Sequence, residues 1–451
     1  MTHSGVAYAA LQTEVTELQG LARGLAEFAP DFSPNLIEWT RHLQQVWQSS
    51  GPPFVLEQQM EWFARALRQH WLQYAAAAPS AVYRSPTEEQ QKGMAEDPKL
   101  EAFGYERDLQ PEILEQRCAR FFPRPLPPWQ AQHLLFSSGQ AAMTAALLVL
   151  QQRLCPRKIT VAHLGKYFET RCLLEALPAT IALLSQPRAL EADCLIVEPI
   201  ACDGRFSRID LEALGERIAA LPVAPRSIIF DSTLLGRVDD VNLFLERTPT
   251  EAPPIVMRVC SGLKLFQAGL EIANVGILTW FELETPYQQA TEGFEALRQL
   301  RTLMGAGLRS ADALALEAPW IFDRDSTSRY ERAIFGHNAA LAAAVSASNR
   351  LFEPLSNPAL KGADAPYCVF RLRCPSNEAY CALEGNIIGE AQRQKLNIDK
   401  GGSFGFRGHR FEVVRPDSGE EPFLRIAMGR RGGWSFYGII EMMTRLAGHP
   451  G

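Results

Sequence analysis

Short apolar runs alternate with helix-patterned stretches between residues 130 and 280, and this alternation limits the possible folds more than any other feature. Strands that alternate with helices are joined by crossover connections, which predict a mostly parallel sheet. The seven predicted strands are residues 133–136, 159–163, 181–184, 193–197, 227–230, 255–259 and 275–279. Ligands bind beyond the carboxyl ends of strands in open sheets of this kind. Residues that directly follow each run are therefore the candidates for chemistry.

Two further regions flank this α/β stretch. Residues 1–95 predict a helical N-terminal extension, because apolar residues recur there at three- and four-residue spacing. Those residues are Leu11, Val15, Leu18, Leu21 and Leu25, with a repeat of the pattern over residues 62–74. After residue 325, a helix at 330–346 and strands at 367–372, 410–414 and 423–428 predict a smaller α/β domain. The predicted domains are 1–95, 96–325 and 326–451.

Charge and composition argue against several classes of protein. The 451 residues carry 45 Lys and Arg against 51 Asp and Glu, a formal net charge of -6. No basic excess is available for nucleic acid or an anionic membrane. No signal peptide and no apolar window long enough to span a membrane is found. The nine Cys contain no C-x-x-C pair, so we expect a reducing, cytoplasmic setting.

The common nucleotide and metal motifs are missing from the sequence. It contains no P-loop, no G-x-G-x-x-G and no H-E-x-x-H, and its His residues lack metal-ligand spacing, so no metal site is expected. Gly401-Gly402-Ser403-Phe404-Gly405 fits the G-x-S-x-G pattern of serine hydrolases. That pattern requires a helix after the serine, yet a loop and a strand are predicted there. A Gly-rich turn is favoured, and a nucleophilic Ser403 is the remote alternative.

A small-residue turn, Ser138-Gly139-Gln140, joins the first predicted strand to a helix. Free N–H groups and the helix dipole at such a start suit a phosphate group, and Gly139 lets a ligand approach the backbone closely. Ser-Gly before a helix is also a common cap. The sequence is therefore compatible with a phosphate-binding site at this turn and with a purely structural helix cap.

Three charged residues lie in or after later strands. Asp231 directly follows residues 228–230 and suits a protonated ring nitrogen such as that of pyridoxal phosphate, or a simple turn. Lys264 follows another strand and lies between Leu263 and Leu265. Apolar surroundings lower the pKa of an ammonium group, as a Schiff-base lysine requires, although a surface Lys is commoner. Arg425 lies inside an apolar strand, where it could bind a substrate carboxylate or form an internal salt bridge.

The order of these residues resembles the pyridoxal phosphate enzymes of cysteine and methionine metabolism. This is the cystathionine γ-synthase and γ-lyase group of the aspartate-aminotransferase-like fold type I. The resemblance is distant and spans roughly residues 100–440. Its segments are Tyr105-Glu106-Arg107, Ser138-Gly139-Gln140-Ala141-Ala142, Tyr167-Phe168-Glu169-Thr170, Asp231-Ser232-Thr233, Ser261-Gly262-Leu263-Lys264, Arg332 with His337-Asn338-Ala339, Gly402-Ser403-Phe404-Gly405, and Arg425.

The resemblance implies a role for each matched residue. Lys264 would hold pyridoxal phosphate as a Schiff base, Asp231 would pair with the ring nitrogen, and Tyr167 would stack on the ring and move protons. Arg425 and Ser403 would bind the substrate. Phosphate and other cofactor contacts would come from Ser138, Gly139, Gln140, Thr233, Ser261 and, from a neighbouring subunit, Tyr105 and Arg107. The resemblance therefore also implies a homodimer or a dimer of dimers with shared active sites.

Several departures from the family pattern bear on function. Leu263 replaces a phosphate-binding Thr, Phe168 and Glu169 replace two Gly, and Leu270 stands near a family His. They favour a specialised biosynthetic enzyme. The implied reaction is elimination or replacement of a γ (or β) leaving group of an amino acid, through a quinonoid and a vinylglycine-type intermediate. An aminotransferase or β-lyase is the first alternative, and a non-catalytic interaction protein is the alternative of another class.

Overall fold

A large sheet is the central element of the chain. The structure, a computed structural model, describes residues 3–30, 38, 40–45, 51–77, 109–154, 158–177, 181–237, 241–249, 251, 254–284, 289–416 and 421–448. Within these ranges the strands of the large sheet are β1 Trp129–Phe136, β2 Ile159–Leu164, β3 Ile181–Leu184, β4 Cys194–Val197, β5 Ser227–Asp231, β6 Ile255–Ser261 and β7 Gly276–Leu283. Their order is β1-β7-β6-β5-β4-β2-β3. Strand β7 runs in the opposite direction to the other six strands of this sheet. The predicted mostly parallel seven-stranded sheet is confirmed.

Helices flank this sheet and extend beyond it at both ends of the chain. The named helices are α1 His3–Phe28, α2 Pro53–Ala77, α3 Glu112–Phe121, α4 Gly139–Leu154, α5 Phe168–Glu175, α6 Leu211–Ala219, α7 Val241–Arg247, α8 Gln289–Leu303, α9 Ser310–Leu316, α10 Arg324–Ser348, α11 Asn377–Gln394 and α12 Trp434–Gly448. None of the helices in the described ranges combines the length and the apolar character that a membrane crossing needs.

The edge strand β1 is longer than predicted. It pairs in register with β7 from Trp129 opposite Leu283 to Phe136 opposite Gly276. The prediction began at residue 133 because Gln130 and Gln132 interrupt the apolar run. Both polar side chains lie on the same face of the strand, where Gln130 is exposed and Gln132 donates to Glu282 at 2.6 Å.

A second sheet lies in the C-terminal part of the chain, with strands β8 Cys368–Phe370, β9 Ile398–Lys400, β10 His409–Val414 and β11 Phe423–Ala427. Its order is β8-β11-β10-β9. Strand β9 was not predicted, because its three residues are exposed or half-buried and carry no apolar pattern. Helix α10 contains the predicted helix at 330–346 and crosses the proposed domain boundary at 325, so the domain division stays a prediction.

The N-terminal extension packs its helices α1 and α2 against the rest of the chain. The predicted stripe of α1 is buried, from Leu11 to Leu25. The buried residues of α2 include Met60, Phe63, Leu67 and Trp71, whereas Trp62, with which the prediction began, is 48% exposed. Trp71 also donates its indole N–H to the Ala315 carbonyl at 2.8 Å. Residues 78–95 of the predicted extension lie outside the described ranges.

A buried ion network joins α1 and α2 to two C-terminal segments. Glu14 of α1 accepts a hydrogen bond from Arg407 at 3.2 Å and pairs with Arg431 at 3.5 Å. Arg407 also donates to Glu17 at 2.9 Å, and Arg431 donates to Glu61 at 3.0 Å. Burial would raise the pKa of Glu14, but the surrounding guanidinium groups outweigh it and hold this pKa below its usual value.

We predict that Glu14→Gln lowers the free energy of unfolding by about 3–5 kcal/mol, because it leaves two buried guanidinium groups short of negative charge. Glu27→Gln is the matched control, since it removes an exposed carboxylate from the same helix. Its effect should stay within about 0.5 kcal/mol. Urea denaturation of both variants measures the difference. Equal effects would contradict the role of the network.

Candidate active site

Several strands end at one edge of the large sheet and bring polar residues together there. Strands β2, β4, β5 and β6 are parallel, and β1 and β6 are both antiparallel to β7, so all five end at this edge. His163 lies near the end of β2, and Glu198 directly follows β4. Asp231 ends β5 and Ser261 ends β6.

A chain of hydrogen bonds joins the ends of β5 and β6. Asp231 Oδ1 accepts from the Thr233 backbone N–H at 3.1 Å and from the Thr233 hydroxyl at 2.6 Å. The Thr233 hydroxyl oxygen in turn accepts from the Ser261 N–H at 3.1 Å. Burial, together with the nearby Glu198 carboxylate, raises the pKa of Asp231 to about 6. The structure thus brings Asp231, Thr233 and Ser261 together.

The turn at Ser138-Gly139-Gln140 packs against Ser261. A Cβ on Gly139 would lie 3.6 Å from Ser261 Cβ, and a Cβ on Gly276 would lie 2.0 Å from the Ser138 carbonyl oxygen. Ser138 caps α4 by accepting from the Ala141 N–H at 3.1 Å. The first N–H groups of a helix have no acceptor within it, so those of Gly139 and Gln140 are suited to an anion. The cap is therefore present, and it is compatible with a phosphate seat.

Glu198 fixes the loop that carries Tyr167. Its carboxylate accepts from the backbone N–H groups of Lys166 and Tyr167, each at 2.9 Å, and lies 2.7 Å from His163 Nε2. Gly165 is required beside it, since a Cβ there would lie 2.2 Å from Glu198 Cδ. Burial and the neighbouring Glu169 carboxylate raise the pKa of Tyr167, so its hydroxyl stays protonated.

Glu198 and His163 were not predicted as site residues from the sequence. A signal was available for both, since Glu198 directly follows the predicted strand at 193–197 and His163 ends the one at 159–163. The rule that residues at strand ends carry chemistry points to them as candidates.

Lys264 lies in the connection between β6 and β7 and is half-buried. Its Nζ donates a hydrogen bond to Ser403 Oγ at 2.5 Å and lies 6.0 Å from the centre of the Phe404 ring. Burial lowers the pKa of this ammonium group. Gln267 braces the connection by donating to the carbonyls of Gly262 and Ala273 at 3.2 and 2.7 Å.

The loop that carries Ser403 joins β9 to β10 and lies directly on Lys264. Gly405 has φ +85°, and a Cβ there would lie 1.8 Å from the Lys264 carbonyl oxygen. Tyr330 donates to the Gly405 carbonyl at 2.9 Å, and Arg407 donates to the Ala268 carbonyl at 3.0 Å. The described residues 404–408 form no helix after Ser403, so the serine-hydrolase pattern lacks its structural context and the Gly-rich turn is favoured.

Arg425 lies under this loop and already has an internal partner. It stands opposite Glu412 in the β10–β11 pair and donates to the Glu412 carboxylate at 2.5 Å. It also lies 3.9 Å from Cys202 Sγ and 5.4 Å from the centre of the Tyr367 ring. The salt bridge anticipated as the alternative is therefore present, and a substrate carboxylate would share Arg425 with Glu412. Tyr105 and Arg107 lie outside the described residues.

We predict that Asp231→Asn stabilises the cofactor-free protein at neutral pH. A carboxyl group whose pKa is raised on folding lowers the free energy of unfolding while it is ionised. This destabilisation disappears as the pH falls through about 6 towards the ordinary pKa of an aspartate side chain. The variant should gain about 1–3 kcal/mol at pH 8 and progressively less towards pH 5. Urea denaturation across this range tests the trend. Asp210→Asn, which removes an exposed carboxylate at a helix cap, should show no such gain; a pH-independent gain for Asp231→Asn would be the contrary result.

Comparison with solved structures identifies the fold. A cystathionine gamma-lyase from yeast is 15% identical, covers 79% of this chain and 91% of its own, and superposes with a TM-score of 0.54. A methionine gamma lyase from Micromonospora echinospora is 16% identical, covers 75% of this chain and 86% of its own, with a TM-score of 0.52. No protein-family model matches the sequence, and no curated protein matches it significantly. The chain thus has the fold of these γ-lyases, as the resemblance implied.

Proposed function

We propose that the chain is a pyridoxal phosphate-dependent enzyme that acts on an amino acid. The observation that carries this proposal is the position of Lys264. Its half-buried amine donates to Ser403 Oγ at 2.5 Å. Lys264 follows Ser261, which ends the strand next to that of the half-buried acid Asp231 and lies against the helix start at Gly139. This cofactor needs three groups: a nucleophilic amine, an acid for the ring nitrogen and a binding site for the phosphate.

The residues present fit pyridoxal phosphate. The turn at Ser138, Gly139 and Gln140 with Ser261 would hold the phosphate, and Asp231 would hold the ring nitrogen. Asp231 has a raised pKa because it is buried near Glu198, so a protonated ring nitrogen would supply the positive charge that this pair of carboxylates lacks. Leu263 offers no hydroxyl, which leaves more of the phosphate binding to the helix start and Ser261.

Each remaining residue then has a defined task. When bound, the cofactor supplies an electron sink for negative charge at the substrate α-carbon. Lys264, whose pKa is lowered by burial, would take the α-proton on Nζ, and Ser403 would orient that amine. Tyr167 would lie against the ring as a protonated phenol. Arg425 would orient the substrate through its α-carboxylate.

Elimination or replacement at the γ-carbon is the reaction class that we propose first, in a specialised biosynthetic role. It is supported by the fold shared with proteins described as cystathionine and methionine γ-lyases, and by the order of the matched segments. A panel of γ- and β-substituted amino acids, assayed for keto acid release, separates it from a β-lyase. Formation of pyridoxamine phosphate, reversed by a keto acid, would indicate an aminotransferase. A non-catalytic role is disfavoured because Asp231, Lys264 and Arg425 are all retained.

We predict that sodium borohydride fixes pyridoxal phosphate covalently to Lys264. The purified protein, incubated with the cofactor and reduced, should gain one pyridoxyl phosphate group per chain, and peptide mass spectrometry should locate it on Lys264. Lys264→Ala should lose this specific label, whereas Lys400→Ala, a surface lysine 59% exposed, should keep it. A wild-type protein that takes up no cofactor would refute the cofactor assignment and the roles built on it.

We further predict that two subunits share each site through Tyr105 and Arg107. A dimer of one Lys264→Ala chain and one Arg107→Ala chain, purified with two affinity tags, should bind cofactor at wild-type affinity with about half the wild-type capacity. One of its two sites would then contain both an intact Lys264 and an intact Arg107. If Arg107 serves its own chain, the mixed dimer will show only weak binding. Borohydride fixation over a range of cofactor concentrations measures both the affinity and the capacity.

A further inference from the structure

We propose that a pocket lined by four arginines binds a soluble oligophosphate, such as the phosphate chain of a nucleoside triphosphate. The pocket is shallow and widely open to solvent, has a volume of about 690 Å³, and is lined by Arg120, Pro123, Arg124, Arg237 and Arg324. None of these residues belongs to the candidate active site. We call this the arginine pocket.

The four arginines of the pocket come from three separate parts of the fold. Arg120 lies in α3, and Arg124 follows this helix. Arg237 lies beyond β5, and Arg324 begins α10. Like charges brought to one pocket by independent elements raise the free energy of the fold unless an anion joins them.

Carboxylates do not neutralise this charge within the described ranges. None of the four arginines forms an ion pair there, although the protein as a whole is acidic, with a net charge of -6. Other arginines do find carboxylates, as Arg301 does with Glu115 at 2.5 Å and Arg425 with Glu412. The arginine pocket is therefore an exception to the pattern of charge pairing.

Two of the guanidinium groups are held in place by neutral acceptors. Arg237 donates to the Phe121 carbonyl at 3.4 Å and to Ser328 Oγ at 3.3 Å, while its Nε is buried without a hydrogen-bond partner. Arg324 donates to the Phe122 carbonyl at 3.3 Å. Such contacts fix the positions of the groups without reducing their charge, so less conformational entropy is lost when an anion binds.

Two acids near the arginine pocket, both among the described residues, are engaged elsewhere. Glu331 accepts the backbone N–H of Arg237 at 2.7 Å, not its guanidinium group, and burial raises the pKa of Glu331 to about 8. It therefore carries little negative charge at pH 7. Asp323, next to Arg324, caps α10 by accepting from the Ser326 N–H at 2.8 Å.

An oligophosphate matches the arginine pocket in charge, geometry and size. Planar guanidinium forks pair with phosphate oxygens through two parallel hydrogen bonds, and four such groups call for several linked phosphates. Pockets for small molecules usually have volumes of about 300–1,000 Å³, more than one orthophosphate ion fills. The ligand class is therefore a chain of phosphates.

Calorimetric titration with inorganic tripolyphosphate tests this proposal. The protein is first saturated with pyridoxal phosphate, so that the candidate active site does not compete, and orthophosphate and ATP are titrated in parallel. We expect one saturable site per chain for tripolyphosphate and for ATP, at least tenfold weaker binding of orthophosphate, and loss of affinity with added salt. If the protein takes up no pyridoxal phosphate, the titration is run without it, so failure of the proposed function leaves this test intact.

Variants with matched charge complete the test. Arg120→Gln with Arg124→Gln removes two exposed arginines of the pocket, and Arg23→Gln with Arg373→Gln removes two exposed arginines elsewhere. The first pair should weaken tripolyphosphate binding at least tenfold, and the second should leave it within twofold. Absence of saturable binding, or equal effects of both pairs, overturns the proposal. A change of oligomeric state in the first pair, with no anion binding by the wild type, would instead assign the arginines to a contact between copies of the chain.

Discussion

The buried ion network around Glu14 is the constraint on which the arrangement of the candidate site depends. Charges removed from water must be paired, and here the pairs join α1 and α2 to Arg407 and Arg431. Arg407 lies in the loop that places Ser403 on Lys264. Helix α2 adds a direct contact, since Arg68 donates to the Glu271 carbonyl at 2.9 Å in the connection that carries Lys264. The N-terminal extension is therefore part of the framework that positions the candidate catalytic lysine.

A second constraint acts at the edge of the large sheet. Glu198 and Asp231 follow or end adjacent parallel strands and are both buried or half-buried, which raises the pKa of Asp231. Glu198 has backbone N–H groups and His163 as partners, whereas Asp231 has only Thr233 as a hydrogen-bond donor among the described residues. This edge therefore favours a cationic ligand at Asp231, which is linked through Thr233 to Ser261 beside the helix start at Gly139.

The sequence predicted those parts of the molecule that local pattern determines. The apolar runs of β4 and β5 predicted buried parallel strands. Asp231 was predicted from its place directly after an apolar run, and Lys264 from its place after a strand and a Ser-Gly turn. Strand β9 escaped prediction because Ile398, Asp399 and Lys400 depend on pairing with β10 and have no pattern of their own. Arg425 remained ambiguous for a related reason, since only the register of β10 and β11 shows that it faces Glu412. The Glu14–Arg407 pair joins residues 393 positions apart, a separation that no local pattern reports.

A crystal structure of the protein grown with pyridoxal phosphate tests whether Lys264 holds this cofactor. We predict electron density continuous with Lys264 Nζ, a ring nitrogen beside Asp231, and a phosphate at the N–H groups of Gly139 and Gln140. Ser403 should remain next to the lysine, in a loop held by Arg407 and Glu14. Cofactor bound away from Lys264, or a phosphate located elsewhere than the start of α4, would contradict the roles assigned to these residues.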